Sequence, residues 1–128
     1  MSNSFTNFLE TKILEHVFTN TPYTPPPTIY LGLFLDEPDE SGSGTEVSGG
    51  SYQRMAVPLT VSGNTVTNDD IVEFPTATSN WGTVVAGALF DAATNGNMLV
   101  VAPLQQARVI ETGDVFRLPL GDLTITLD

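Results

Sequence analysis

Cysteine is absent from the 128-residue chain, which excludes disulfide staples and thiolate metal sites and leaves stability to core packing or to assembly. Base is scarce as well: four Lys and Arg residues stand against fifteen Asp and Glu, giving a net charge of −11. That field opposes the phosphate neutralisation on which nucleic-acid affinity rests, and it repels anionic lipid. No apolar run approaches the ~20 residues that cross a bilayer. Neither nucleic acid nor a membrane is therefore an expected partner. The opening MSNSFTNFLETK lacks a basic stretch followed by a long apolar one, so the expectation is synthesis in the cytoplasm without export by the general route. Charged residues make up only 15% of the chain, so solubility rests partly on Ser, Thr and Asn, and part of the surface is expected to be covered by partners.

What remains is enough for one domain with its own core. Phe5, Phe8, Leu9, Ile13, His16 and Val17 recur at three- and four-residue steps, with Thr6, Glu10, Thr11 and Glu15 on the other side. The spacing predicts an amphipathic helix over about 4–19, capped by Ser4 or Asn7 and stopped before Pro22. TPYTPPPT then reads as a stiff polyproline II connector that sets the helix apart, with an SH3-type ligand as the alternative. The chain thus divides into a helix and connector, 1–27, and a β domain, 28–128.

From residue 28 onward the period is that of strands. TIYLGLFL carries Ile29, Leu31, Leu33 and Leu35 on one face and Tyr30, Gly32 and Phe34 on the other, the mark of a central strand covered on both sides. QRMAVPLTV alternates Met55, Val57, Leu59 and Val61, with Pro58 confining it to an edge or a bulge. TVTN, IVEF, WGTVVAGALF, NMLVVAPL, ARVI, DVFRLPL and LTITL follow, separated by turn signals such as TNGN and TGD, with at most one helical turn near Gln105. Eight to nine short strands predict a mainly β fold, an antiparallel, jelly-roll-like β-sandwich preceded by one N-terminal amphipathic helix. DEPDESGSGTEVSGG reads as a mobile surface loop.

Chemistry finds little to work with. His16 has no second histidine to share a metal and reads as a packed or interfacial residue. Asp36, Glu37, Asp39 and Glu40 offer the oxygen ligands calcium prefers, but Pro38 interrupts them and EF-hand spacing is missing, so a solvated loop is favoured. Asp69, Asp70 and Glu73 are a carboxylate group without a visible cleft, and VSGGS lacks the strand-to-helix context of a nucleophile elbow. Trp81 with Tyr52, Tyr30 and Tyr23 suits a sugar-stacking platform, against the more ordinary role of Trp81 as a core or inter-subunit anchor. Gly49 and Gly50 permit a tight turn into the next strand, where Tyr52 and Arg54 share a face. In so acidic a chain Arg54 has carboxylate partners to choose from, in its own subunit or a neighbour's.

NFLETKILEHVF, PPTIYLGLF with its acidic loop, EVSGGSYQRMAV and GALFDAATNGNML, in this order and spacing, resemble a family of small virion structural proteins of tailed bacteriophages, labelled head-decoration (cement) or tail-fibre proteins. The resemblance implies a non-enzymatic particle component with no catalytic residues and no cofactor. Its first implication is a capsid decoration protein on the head surface, a homotrimer that binds the major capsid protein; a tail or tail-fibre component, with receptor binding among its tasks, is the alternative. Phe5, Leu9 and Ile13 on the helix, with Tyr52, Arg54 and Trp81, are the expected interface residues.

Overall fold

A computed structural model describes residues 4–127; residues 1–3 and 128, the outer ends of the two expected segments, lie outside the described residues. In chain order the elements are β1 (Ser4–Phe5), α1 (Asn7–Phe18), β2 (Tyr30–Phe34), β3 (Met55–Ala56), β4 (Leu59–Ser62), β5 (Thr65–Asn68), β6 (Val72–Glu73), β7 (Gly82–Phe90), β8 (Met98–Ile110), β9 (Arg117–Leu118) and β10 (Thr124–Thr126).

Alternation in β2, β7 and β8 builds the main layer, a sheet of order β1-β8-β7-β2-β3 with every neighbour antiparallel. One face sends Leu31, Leu33, Val84, Leu89 and Val100 into the central core. The opposite layer answers from two smaller sheets, β10-β5-β4 and β6-β9, with Val72, Leu118 and Ile125 together with Phe74, Phe116 and Leu123 from the adjoining turns. Each such aliphatic or aromatic side chain contributes roughly 1.5–3 kcal/mol on leaving water, so this interface dominates the stability. The fold is mainly β and sandwich-like, as the sequence predicts, but its second layer is split in two.

The main sheet is apolar on its other face too. Phe34, Ala86, Ala88, Phe90, Met98 and Val101 form a separate buried cluster there, so β2 is covered on both sides as its sequence requires. The lid is the acidic segment, which is tied down and not the mobile loop expected from its composition. Asp36 Oδ1 accepts from the Thr45 N–H at 2.8 Å, Leu35 N–H donates to the Thr45 carbonyl, and Asp39 Oδ1 accepts from the backbone N–H groups of Ser41 and Ser43. Those bonds, the Ser41 hydroxyl first, hold the Asp39 carboxyl below its ordinary range. Gly44 lies so close over Phe34 that a Cβ would stand 3.0 Å from the ring.

Three further differences from the sequence reading have identifiable causes. Pro58 lacks an N–H, and the chain changes sheets there: QRMAVPLTV becomes β3 on one edge and β4 on another, which buries Val57 but leaves Val61 exposed. NMLVVAPL and ARVI are one strand without a helical turn at Gln105. Its ladder with β7 passes from Ala86↔Pro103 to Val84↔Arg108, so residues 104–107 swing out opposite Val85 as a long bulge. The helix starts at Asn7, with Thr6 as its cap in place of Ser4 or Asn7.

Thr6 prevails as the cap because it meets a second demand. The β7–β8 register slips between Leu89↔Val100 and Phe90↔Met98, a bulge in β8 beside the end of β1. The Thr6 N–H donates to the Leu99 carbonyl at 2.9 Å, and its hydroxyl donates to the Met98 carbonyl at 2.7 Å with Leu99 O at 3.1 Å. The same Oγ1 accepts from the Leu9 N–H, capping α1. Thr6 is 1% exposed, so without its hydroxyl the Met98 carbonyl and the Leu9 N–H would lose this partner in a buried place, while the Leu99 carbonyl keeps the Thr6 N–H. Thr6→Ala is expected to lower unfolding free energy by about 2–3 kcal/mol in urea titration, while Thr6→Ser stays within about 1 kcal/mol of the parent; equal losses in both variants would contradict the pairing.

Candidate functional site

The turn before β3 is built from Gly49, Gly50 and Ser51, which take φ of 76°, 58° and 68° in succession. Gly50 has no alternative, since a Cβ would stand 2.8 Å from Trp81 Nε1, the atom that donates to the Gly50 carbonyl at 2.9 Å. The turn delivers Tyr52 edge-on to Trp81 at 5.3 Å and stacked on Phe74 at 6.2 Å. From that aromatic bed the Tyr52 hydroxyl donates to Glu46 Oε2 at 2.6 Å and accepts from the Leu33 N–H at 2.9 Å. Burial first, then the Glu46 hydrogen bond, push its pKa far above the ordinary value of 10.0.

Arg54 completes the group. Its Nε and Nη2 each reach one oxygen of Glu46 at 2.9 Å, a bidentate fork, while Nη1 donates to the carbonyls of Ala92 at 3.0 Å and Asn95 at 2.8 Å. The guanidinium lies 3.5 Å above the Phe90 ring, and its side chain is 9% exposed. The charge is thus desolvated but met on every edge, the condition under which a buried pair is tolerated. An open groove of about 400 Å³ borders this network, lined by Ser48, Gln53 and Thr94 among others.

The expected interface residues therefore fall into two groups. Tyr52, Arg54 and Trp81 come together, but within their own chain: Arg54 pairs with the same subunit's Glu46, and Trp81, 4% exposed, is core. A sugar platform centred on Trp81 is excluded by that burial. Phe5 of β1 and Leu9 and Ile13 of α1 are half-buried, with Phe5 and Leu9 packed on the central core. No residue of α1 is fully buried, and His16 and Val17, expected on the inward face, are exposed. The unforeseen feature is a second apolar stripe: Leu14, Val17 and Phe18 are 56%, 63% and 76% exposed, one turn apart, and Leu14 joins Phe5, Ile13 and the exposed Leu127 around an open groove. The i, i+4 pair Leu14 and Phe18 was the available signal.

The remaining candidates are engaged locally. Asp69 accepts from the Thr60 hydroxyl, Asp70 from the Ile71 N–H, and Glu73 pairs with Arg117 at 2.7 Å on the surface. His16 lies 3.3 Å from the Thr21 carbonyl at the end of α1. Among the described residues no three His, Asp or Glu side chains are grouped as metal ligands require.

The family model described as Podophage GP4 fiber I protein gp80 matches residues 4–126, and the chain belongs to that family. No curated protein matches the sequence. A phage virion structural role follows, and the fibre description fits the tail-fibre alternative better than the capsid-decoration reading; placement on the capsid surface has no support in the match.

Tyr52 supplies a direct check on the network. Its raised folded-state pKa means that the neutral phenol stabilises the fold below the unfolded value near 10 and that this contribution is lost as pH rises above it. In a near-ultraviolet alkaline titration, one of the three tyrosines is expected to ionise only with unfolding, and Tyr52→Phe should abolish that late step. Three tyrosines titrating together in the folded protein would refute the hydrogen-bonded, buried phenol.

Proposed function

We propose that this chain, as a member of a podophage fibre family, is a non-enzymatic structural subunit of the virion's tail fibre, and that it works as a homotrimer. The family match over residues 4–126 carries the reading. The outward stripe of α1 supports the assembly step. Leu14, Val17 and Phe18 expose apolar surface on an element that already has an inward contact, and burial of such surface against another copy is the ordinary way a fibre subunit gains stability. The surroundings of the stripe favour self-contact within so acidic a chain. α1 carries Lys12, the sole lysine, between Glu10 and Glu15, so this surface meets a second copy with less repulsion than the carboxylates of the lid would.

The Arg54 network serves this role from inside the subunit. It fixes the β7–β8 turn and the acidic lid to the main sheet, giving a rigid body for a repeating assembly. Receptor contact at a fibre would use exposed loops, such as those that line the open groove beside Gln53, Thr94 and Asn95.

Two measurements test the proposal. Antibody labelling of intact virions is expected to decorate the tail fibres, whereas label spread over the head would return the protein to the decoration class and its major capsid partner. Light scattering of the purified chain is expected to give a trimer that Val17→Ser with Phe18→Ser converts to folded monomer. A variant that remains trimeric would remove α1 from the interface.

A further inference from the structure

The turn joining β7 to β8 contains the sequence's single Asn-Gly step, Asn95-Gly96. Both residues have positive φ, 56° and 74°, inside the loop that runs from Phe90 to Met98. Gly96 cannot be exchanged for a larger residue, since a Cβ would collide with the Asp91 carboxylate and with Ala92. Asn95 is exposed, and the Gly96 N–H has no hydrogen-bond partner among the described residues. An unhindered glycine nitrogen beside an asparagine side chain is the reacting pair for intramolecular deamidation. The Gly96 nitrogen attacks Asn95 Cγ, the new N–C bond closes a succinimide, and the side-chain amine leaves as ammonia with the proton from Gly96. Water then opens the ring at either carbonyl to give aspartate or isoaspartate.

We propose that Asn95 is a latent deamidation site that Arg54 holds in check. The restraint follows from peptide planarity. The Asn95 carbonyl oxygen and the Gly96 nitrogen belong to one rigid plane, so the rotation of ψ of Asn95 that, together with χ1, brings the nitrogen to Cγ carries the oxygen with it. The oxygen is held at 2.8 Å by Arg54 Nη1, whose guanidinium is itself locked by Glu46 and seated on Phe90. Attack therefore requires the clamp to open first. A charge-assisted hydrogen bond of ordinary strength suppresses the reactive rotamer by roughly tenfold or more. Isoaspartate lengthens the backbone by a methylene and turns the Asn95 carbonyl that Arg54 holds into a free carboxylate, and either product adds a negative charge near Asp91.

The test is peptide mapping by mass spectrometry of the full chain during incubation in mildly alkaline buffer, beside a synthetic peptide of residues 91–97. The folded chain is expected to deamidate at Asn95 roughly tenfold or more slowly than the peptide. Arg54→Lys, which keeps the charge but loses the fork, and the milder Glu46→Gln, which loosens the guanidinium without touching the turn, are both expected to raise the rate toward that of the peptide. Near-ultraviolet circular dichroism scores folding in each case, and Asn64 and Asn80 report any general loosening. A wild-type rate equal to the peptide's would overturn the proposal. So would a folded Glu46→Gln chain with an unchanged rate, or acceleration at Asn64 and Asn80 equal to that at Asn95.

Discussion

One guanidinium ties together three parts of the chain. Arg54 receives Glu46 from the segment after the acidic lid, takes the carbonyls of Ala92 and Asn95 from the β7–β8 turn, and rests on Phe90 of the main sheet. With only four basic residues against fifteen acidic ones, the chain commits a quarter of its base to this point, since no neutral side chain presents a planar fork to a carboxylate and further donors to carbonyls. The arrangement stabilises through interdependence. Arg54 or Glu46 alone would be a largely buried charge without its counter-ion, and removal of either member of such a pair typically costs about 3–5 kcal/mol.

The need for that clamp comes from the two-faced main sheet. A sandwich of this size has one dry interior, but here Phe34, Phe90, Met98 and Val101 make a second apolar layer with no further sheet to cover it. Irregular backbone covers it instead, and such backbone must find hydrogen bonds of its own. Asp36 and Asp39 provide them by accepting from nearby N–H groups, which makes the acidity of the lid a structural property. Carboxylates that read as solvated charge are acceptors for a loop that lacks a ladder.

The strands were legible wherever one residue's neighbours decide its place. Leu31 and Leu33 against Gly32 and Phe34 identify a central strand because alternation is local, and Pro58 marks a boundary because its missing N–H is local too. The failures at the helix cap, at Arg54 and at Trp81 involve partners distant in sequence. Ser4 and Asn7 are as good as Thr6 by cap preference, and what separates them is the bulge at Met98 and Leu99. Arg54 could be identified as a pairing residue, but its partner among fifteen carboxylates could not, because Glu46 is chosen by the turn geometry of Gly49 to Ser51. Trp81 is anchored in the core by the Gly50 carbonyl, another tertiary fact. The helix shows the reverse problem: periodicity found one apolar face and passed over Leu14 and Phe18, since a pattern tuned to a single buried side does not look for a second.

The pairing of Thr6 with the carbonyls of Met98 and Leu99 closes a loop of more than ninety residues, with separations of 92 and 93. On the ribosome, that distance becomes a delay. At ~5–20 residues per second, roughly five to twenty seconds pass between synthesis of the cap and synthesis of the carbonyls it serves. During that interval α1 has neither its bulge nor its sheet, and a helix this short is marginal by itself. The helix thus emerges well before β8 and docks late, leaving both of its apolar stripes open to chaperones, or to neighbouring nascent chains, until β8 has been made.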